Sequence, residues 1–419
     1  MDTILQIFRR PEIRNKVLFI LALMAVAQLA HNVPIPAVDA SRLRDFLNNN
    51  QLFGLVSTFT GGSLSTLSVA MLGLGPYITA TIIMQLLTMI FPSLEQMYKY
   101  EGEAGRTRFN QYSRILTVPL AMVQGYAFLT LLTRQSVIAP LGLLQMLSTL
   151  VIVTAGSVFL MWLGELITEK NLGNGVSLLI LAGIVARFPS NLQQAIFTYT
   201  PDQLFTYVAF VLVSLAVIVG VIYISEAQRN ITVNYARRVR GMRQYGGVST
   251  YLPMRVNNAG VIPIIFALSL LLFPGVIANF FASSHIAIVA HIATAVATFL
   301  QQNLWYSILY FIFVVIFTYF YTAITFDPKS IAENIQKQGG YIPGIRPGPQ
   351  TASFLNHLLN RVTLVGAIFL GTIAILPNIV RGATGVSAFT IGGTSILIVV
   401  SVALEVMKQI QAQLSLYEY

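Results

Sequence analysis

Side chains that could carry out catalysis are scarce in this chain. It has 419 residues and no cysteine, which excludes thiol nucleophiles, disulfides and cysteine-based metal sites. Its four histidines, His31, His285, His291 and His357, are scattered and form no ligand cluster. No glycine loop suited to phosphate and no spaced nucleophile, base and acid occur. Glu165, Glu405 and Arg361 fall toward the ends of apolar stretches whose middles are uncharged. Proton relays and ion pathways use ionisable groups within the membrane, and none stands there. The expectation is a chain that is not an enzyme and needs neither cofactor nor metal. What remains is small, neutral polarity. Thr79, Thr81 and Gln85 lie in one apolar stretch, Asn257 and Asn258 lead into another, and TFTGGSLSTLS (58–68) is uncharged and rich in glycine and serine.

The elements that must position these groups follow from composition. Hydrophobic residues make up 55% of the chain and charged residues 10%, with a mean hydropathy of +0.72. Soluble domains carry roughly a quarter charged residues. A spanning helix needs about 20 apolar residues, and strand-like alternation is absent. The pattern predicts an all-α polytopic membrane protein with spans near 17–33, 74–91, 113–133, 146–167, 175–187, 203–225, 258–281, 303–325, 358–378 and 391–409. MDTILQIFRRPEIRNK reads as a basic amphipathic segment rather than a cleavable signal.

Charge sets the orientation. Of 25 lysines and arginines, only Arg42, Arg44, Arg134, Arg187 and Arg381 fall outside if both termini are cytoplasmic. The other twenty fall inside, and the two longest inside segments lie near 226–257 and 326–357. The first holds Arg229, Arg237, Arg238, Arg240, Arg243 and Arg255 around β-prone ITVNYA and a glycine-rich tip. Such a segment serves topology and anionic lipid. It equally suits a protrusion that meets RNA or an acidic protein face.

Two prolines, Pro76 and Pro263, interrupt the second span and the start of the seventh. These are equivalent places if the chain is two five-span halves, 1–187 and 188–419. Paired interruptions point to a working site between inverted repeats; isolated kinks made good by neighbouring groups are the plainer explanation.

At this point the sequence resembles the SecY family, whose members are central pore subunits of Sec protein translocases and include the Sec61 alpha subunits. The likeness runs through PIPAVDA (34–40), FTGGSLSTLSVAMLGLGPYITATIIMQLL (59–87), EGEAGRTRFNQYSR (101–114), MWLGELITEKNLGNGVSLLILAGIVA (161–186), AQRNITVNYARR (227–238), YLPMRVNNAGVIPIIFA (251–267), YIPGIRPGPQTA (341–352) and GGTSILIVVSVALEVMKQI (392–410). It implies ten transmembrane helices in two pseudo-symmetric inverted five-helix halves, a clamshell channel.

The resemblance also implies roles. Leu74, Ile78, Val176, Ile180, Ile265 and Ile398 would form an aliphatic pore ring, with Leu74 and Val176 departing from the common isoleucine. Residues near 54–67, including Gly54, Thr60, Gly61, Gly62 and Leu64, would be a plug, with Gly61-Gly62 allowing a sharp turn. Thr79, Gln85 and Asn257 would belong to a lateral gate, with Gln85 and Asn257 as a weak amide latch. Arg237, Arg238, Arg240, Arg243 and Arg346 would meet cytoplasmic partners, although Met242 replaces a frequent basic residue.

The expected function is a passive channel in the plasma membrane for unfolded secretory polypeptides, with lateral release of membrane segments. The expected partners are SecE, SecG, the SecA motor, ribosomal RNA and proteins at the exit tunnel, signal peptides and nascent chains, anionic lipids and the insertase YidC. A secondary transporter on inverted repeats is the alternative, disfavoured by the shortage of midplane charge. An insertase or scaffold without a through-pore is a third.

Overall fold

A computed structural model describes residues 10–35, 67–134, 137–197, 204–235, 238–240, 243–245, 249–282, 286–384 and 392–416. Among these are thirteen α-helices. They are α1 (Pro11–Asn32), α2 (Gly75–Ile90), α3 (Pro92–Lys99), α4 (Gly102–Arg134), α5 (Leu143–Thr168), α6 (Gly175–Phe197), α7 (Leu204–Glu226), α8 (Ile262–Phe281), α9 (Ala287–Gln301), α10 (Asn303–Thr325), α11 (Pro328–Lys337), α12 (Pro349–Thr384) and α13 (Gly392–Leu416). Five short strands accompany them: β1 (Gln228–Tyr235), β2 (Arg238–Arg240), β3 (Arg243–Tyr245), β4 (Ser249–Arg255) and β5 (Gly340–Tyr341).

Each of the ten expected spans falls on a helix. α1, α4, α5, α7, α10, α12 and α13 are long and apolar enough to cross a membrane. α2 and α3 qualify together as a pair bent by 112°. The bend sits at Phe91, held in an extended conformation because the Pro92 ring disfavours helix in the residue before it. The apolar parts of α6 and α8 are shorter, Gly175–Ser190 and Ile262–Leu271.

Three boundaries differ from expectation. The fifth span was expected to end near 187, but α6 continues through Pro189 to Phe197. The second and seventh spans are not kinked at Pro76 and Pro263; each proline lies in the first turn of its helix, where a missing N–H costs nothing. α9, between the seventh and eighth spans, was not foreseen.

The approaches to α2 and α8 are built alike. Gly73 and Gly260 have φ of 56° and 62°, left-handed values that suit glycine. Leu74 (φ −88°, ψ 0°) and Val261 (φ −94°, ψ −7°) follow, and then the proline-led helix. Further back, the N–H of Val69 donates to the carbonyl of Val33, just past α1, and the N–H of Val256 donates to that of Ala227, just past α7, both at 2.9 Å. A helix glycine lies against each valine carbonyl. A Cβ on Gly156 of α5 would stand 2.1 Å from Val69 O, and one on Gly366 of α12 would stand 2.5 Å from Val256 O. The same device therefore occurs in both halves of the sequence.

Beyond the bundle, β1 pairs antiparallel with β4 from Gln228↔Arg255 to Asn234↔Ser249, and β5 adds to the other edge of β1. β2 and β3 form a separate short hairpin. ITVNYA thus lies in a strand up to Tyr235, as its β-branched residues suggest. Ile231, Val233 and Met254 pack with Ile335, Ile342, Leu355 and Leu359 in a small core of their own. That core joins the two basic segments to the start of α12.

Placing a methyl group on Gly156 or Gly366 drives it into a backbone carbonyl, which cannot swing aside as a side-chain tip would. Gly156→Ala and Gly366→Ala are expected to cost about 1–3 kcal/mol. Gly220→Ala meets only the Phe369 ring at 3.4 Å and should be neutral or stabilising. Melting temperatures of the three variants in detergent check this ordering.

Candidate functional site

A cavity of about 390 Å³ lies where α2, α4, α5, α6, α8 and α10 converge. One side is apolar, with Ile78 from α2, Val176 from α6, and Ile262, Ile265 and Phe266 from α8. The other side is polar, with Thr81, Gln85, Asn110, Arg114, Glu165, Thr168 and Asn174.

The turn between α5 and α6 explains how the apolar side is held. Asn171 and Gly173 adopt positive φ, 57° and 149°, and reverse the chain. A Cβ on Gly175 would fall 1.8 Å from Gly164 O, so only glycine lets α6 start this close to α5. Thr168 Oγ1 donates to Gly164 O at 2.8 Å and accepts from the N–H of Gly175 at 2.9 Å. Asn174 Oδ1 accepts from the N–H groups of Val176 and Ser177 at 3.0 and 3.3 Å, capping α6. Val176 and Ile180 therefore leave the first turns of α6 on one face, four residues apart. Leu74 and Ile78 have the same spacing at the start of α2.

The six expected ring residues share one cluster. Leu74, Ile78, Ile180, Ile265 and Ile398 are buried in one continuous apolar cluster, and Val176 packs against it. Ile398 of α13 is wholly buried. Of the six, Ile78, Val176 and Ile265 also line the cavity, from α2, α6 and α8.

The expected gate residues are not joined as a latch. Gln85 Oε1 and Asn257 Oδ1 are buried, and each lacks a hydrogen-bond partner. No amide–amide bond therefore links them, and α2 and α8 meet here through apolar contact instead. Thr79 turns elsewhere, donating to Gly75 O at 2.9 Å and accepting from Gln124 Nε2 of α4 at 3.5 Å. Asn258 Nδ2 is a further buried orphan beside Asn257.

Of the plug positions, Gly54, Thr60, Gly61, Gly62 and Leu64 lie outside the described residues, as does Arg237. Arg238, Arg240 and Arg243 lie on β2 and β3, with Arg240 paired in register with Arg243. Arg346 is exposed on the segment after β5. Its carbonyl accepts from Thr351 Oγ1 at 2.9 Å, and Gly344 and Gly348 have φ of 81° and 98°, so the arginine stands on an ordered turn.

Residue types alone did not single out the polar wall. It carries three charged groups: Arg114 of α4, which forms a salt bridge with Glu165 of α5, and Glu169 just past α5. A partly exposed pair of this kind contributes little stability. The signal for the repeated approach to α2 and α8 was present in the sequence as Val-x3-Gly-x2-Pro, at 69–76 and again at 256–263.

Comparison with known proteins agrees with this geometry. The SecY family model matches residues 68–407. SecY protein translocase subunits of Corynebacterium glutamicum, Thermotoga maritima and Halalkalibacterium halodurans are 40%, 42% and 43% identical to the chain. The alignments cover 99%, 98% and 98% of this chain and 98%, 95% and 97% of those proteins, respectively. The fold is similar to a solved protein-conducting channel, with a TM-score of 0.64 at 18% identity, and to Sec61 in the canine ribosome-channel complex, at 0.62 and 19%. Each likeness covers 95% of this chain and 92% of the other. With four-fifths of its length matched by the family model and such relatives aligned over nearly all of it, the chain belongs to the SecY family.

Proposed function

We propose that the chain is the pore subunit of a protein-conducting channel that passes unfolded polypeptides across the plasma membrane and releases apolar segments sideways into lipid. Family membership makes it a translocation-channel subunit rather than an enzyme. The carrying observation is that Leu74, Ile78, Val176, Ile180, Ile265 and Ile398 share one apolar cluster, of which Ile78, Val176 and Ile265 also line the polar-walled cavity; these six would form the waist of the pore.

Such a waist suits the task. Aliphatic side chains can close around an extended chain without selecting its sequence, and when empty they exclude water and ions by dewetting. The residues near 54–67 would act as a plug on the far side of the waist, and 1–187 and 188–419 would be the two halves of the clamshell. No group in the waist can do chemical work. Energy would come from the SecA ATPase or from the translating ribosome, meeting the basic β2–β3 hairpin and Arg346. SecE and SecG would complete the complex, with YidC receiving some membrane segments and anionic lipids meeting the basic loops. Both termini would be cytoplasmic, as the charge distribution requires.

The lateral opening would lie between α2 and α8. Separating them breaks no Gln85–Asn257 bond, since none exists, and lets two orphaned amide oxygens find water or a passing peptide. The closed seam then rests on apolar contact alone. An incoming signal sequence gains about 0.8 kcal/mol per buried methylene, which readily shifts the open population.

Three measurements bear on this reading. An arrested secretory chain should cross-link to single cysteines at Ile78, Ile180, Ile265 and Ile398 and not to one at Val219, which is exposed on α7; equal yields at Val219 would overturn the assignment. Gln85→Leu removes an unsatisfied buried amide, a group that costs about 1–3 kcal/mol. It should stabilise the closed seam, so that export of a weakly apolar signal falls while a strongly apolar one is unaffected. Arg346→Glu should weaken ribosome or SecA binding about tenfold, equivalent to about 1.4 kcal/mol. Its melting temperature should not change, because the side chain is exposed.

A further inference from the structure

A second apolar surface lies away from the cavity, on α9. From Val256 to Phe326 the sequence contains no Asp, Glu, Lys or Arg, and α9 occupies the middle of that stretch. α8 begins next to β4 and α10 ends shortly before β5, so α9 is at the end of the bundle opposite the sheet. It packs on α8 and α10, with Ala293, Ala297 and Leu300 buried. That uses one helical face.

A different face stays bare. Ile288, Ile292, Val296 and Phe299 recur at helical spacing and remain exposed, Ile288 at 73% and Ile292 at 60%. His291, Thr294 and Thr298 form a polar stripe about 120° away round the helix, at 100° per residue. The Thr294 and Thr298 hydroxyls donate to the carbonyls of Ala290 and Thr294, both at 2.8 Å. The helix therefore has three faces about 120° apart: an exposed apolar stripe, a polar stripe, and the buried alanine seam that packs on the bundle.

The junction with α10 sets the depth of this helix. Gln302 alone separates α9 from α10, so the end of α9 is tied to the end of a spanning helix. There Trp305 stacks on Phe299, with ring centroids 5.4 Å apart and planes at 28°. Trp is enriched at the membrane–water boundary. A stripe of isoleucines with no charge on the whole segment is poorly suited to open water. It also offers no ionic handle to a protein partner.

We propose that α9 lies in the lipid headgroup boundary on the side of the membrane opposite the sheet. Ile288, Ile292, Val296 and Phe299 dip into the acyl region, and the threonines face water. In that position α9 holds the far end of α8 at a fixed depth while the seam with α2 opens.

The absence of native cysteine makes the test direct. Ile292→Cys and Thr294→Cys are spin-labelled in the full-length chain, in vesicles of phosphatidylethanolamine and phosphatidylglycerol, and relaxation by oxygen is compared with relaxation by a water-soluble nickel chelate. The label at 292 should favour oxygen several-fold and the label at 294 should favour nickel. Equal nickel access at both positions places the stripe in water and overturns the proposal. Exclusion of both reagents at 292 means that a second copy or another protein covers it, and also overturns it. A variant that leaves α9 untouched, Trp162→Phe, keeps Trp305 as the only indole. Acyl-brominated phospholipid should then quench its emission, and unchanged emission would count against the proposal.

Discussion

Two helices in this molecule begin inside the bundle rather than at its edge, and their exposed backbone ends must be satisfied there. With no water to spare in a bilayer, an irregular backbone is tolerated only when protein surrounds it. The solution is the same in both halves. A valine N–H is bonded to the chain leaving the preceding helix, its carbonyl is pressed against a helix glycine, and a left-handed glycine followed by a proline starts the new helix. The position of the proposed waist depends on this. Ile78 and Ile265 are each two residues past the proline, so fixing the two turns brings those side chains into one cluster from opposite halves.

The rest of the waist obeys a related logic. α6 starts close to α5 because Gly175 permits the approach and Asn174 caps the helix end, which places Val176 and Ile180 together. α13 contributes Ile398. Beside these apolar residues the polar wall of the cavity carries the Arg114–Glu165 pair and Glu169. The seam between α2 and α8 is held without any polar bond between Gln85 and Asn257. On the proposed function this fits: a seam that opened sideways for weak apolar signals would be hindered by a strong buried latch, since each satisfied polar bond would raise the threshold for entry.

Much of this was legible in the residues, for identifiable reasons. Long uncharged stretches announce spanning helices because burial in lipid demands them, and the arginine distribution orders them. The six aliphatic positions could be named only by likeness to a family, because an isoleucine in a waist and an isoleucine in ordinary helix packing have the same side chain and spacing. α9 was missed because a short apolar helix at an interface is too short to read as a span and too uncharged to read as a water-exposed loop. The extension of α6 past Pro189 was missed because proline is read as a stop, although a spanning helix can absorb it when neighbours satisfy the freed carbonyl. The Gln85–Asn257 bond was expected from two amides at gate positions, but the direction each side chain takes depends on packing around it.

The basic segments are organised as firmly as the bundle. The β1–β4 hairpin, β5 and α11 share a small apolar core with the first turns of α12. α12 in turn carries Gly366 against Val256, next to Asn257 and the start of α8. A partner that grips the hairpin or Arg346 thus acts on a body continuous with one side of the seam. Imaging of the full complex with an arrested secretory chain, by electron cryomicroscopy, is the most direct measurement. Density for the chain passing in van der Waals contact with Leu74, Ile78, Val176, Ile180, Ile265 and Ile398 is the predicted result. Density that takes another route, with those six side chains still packed against one another, would contradict it.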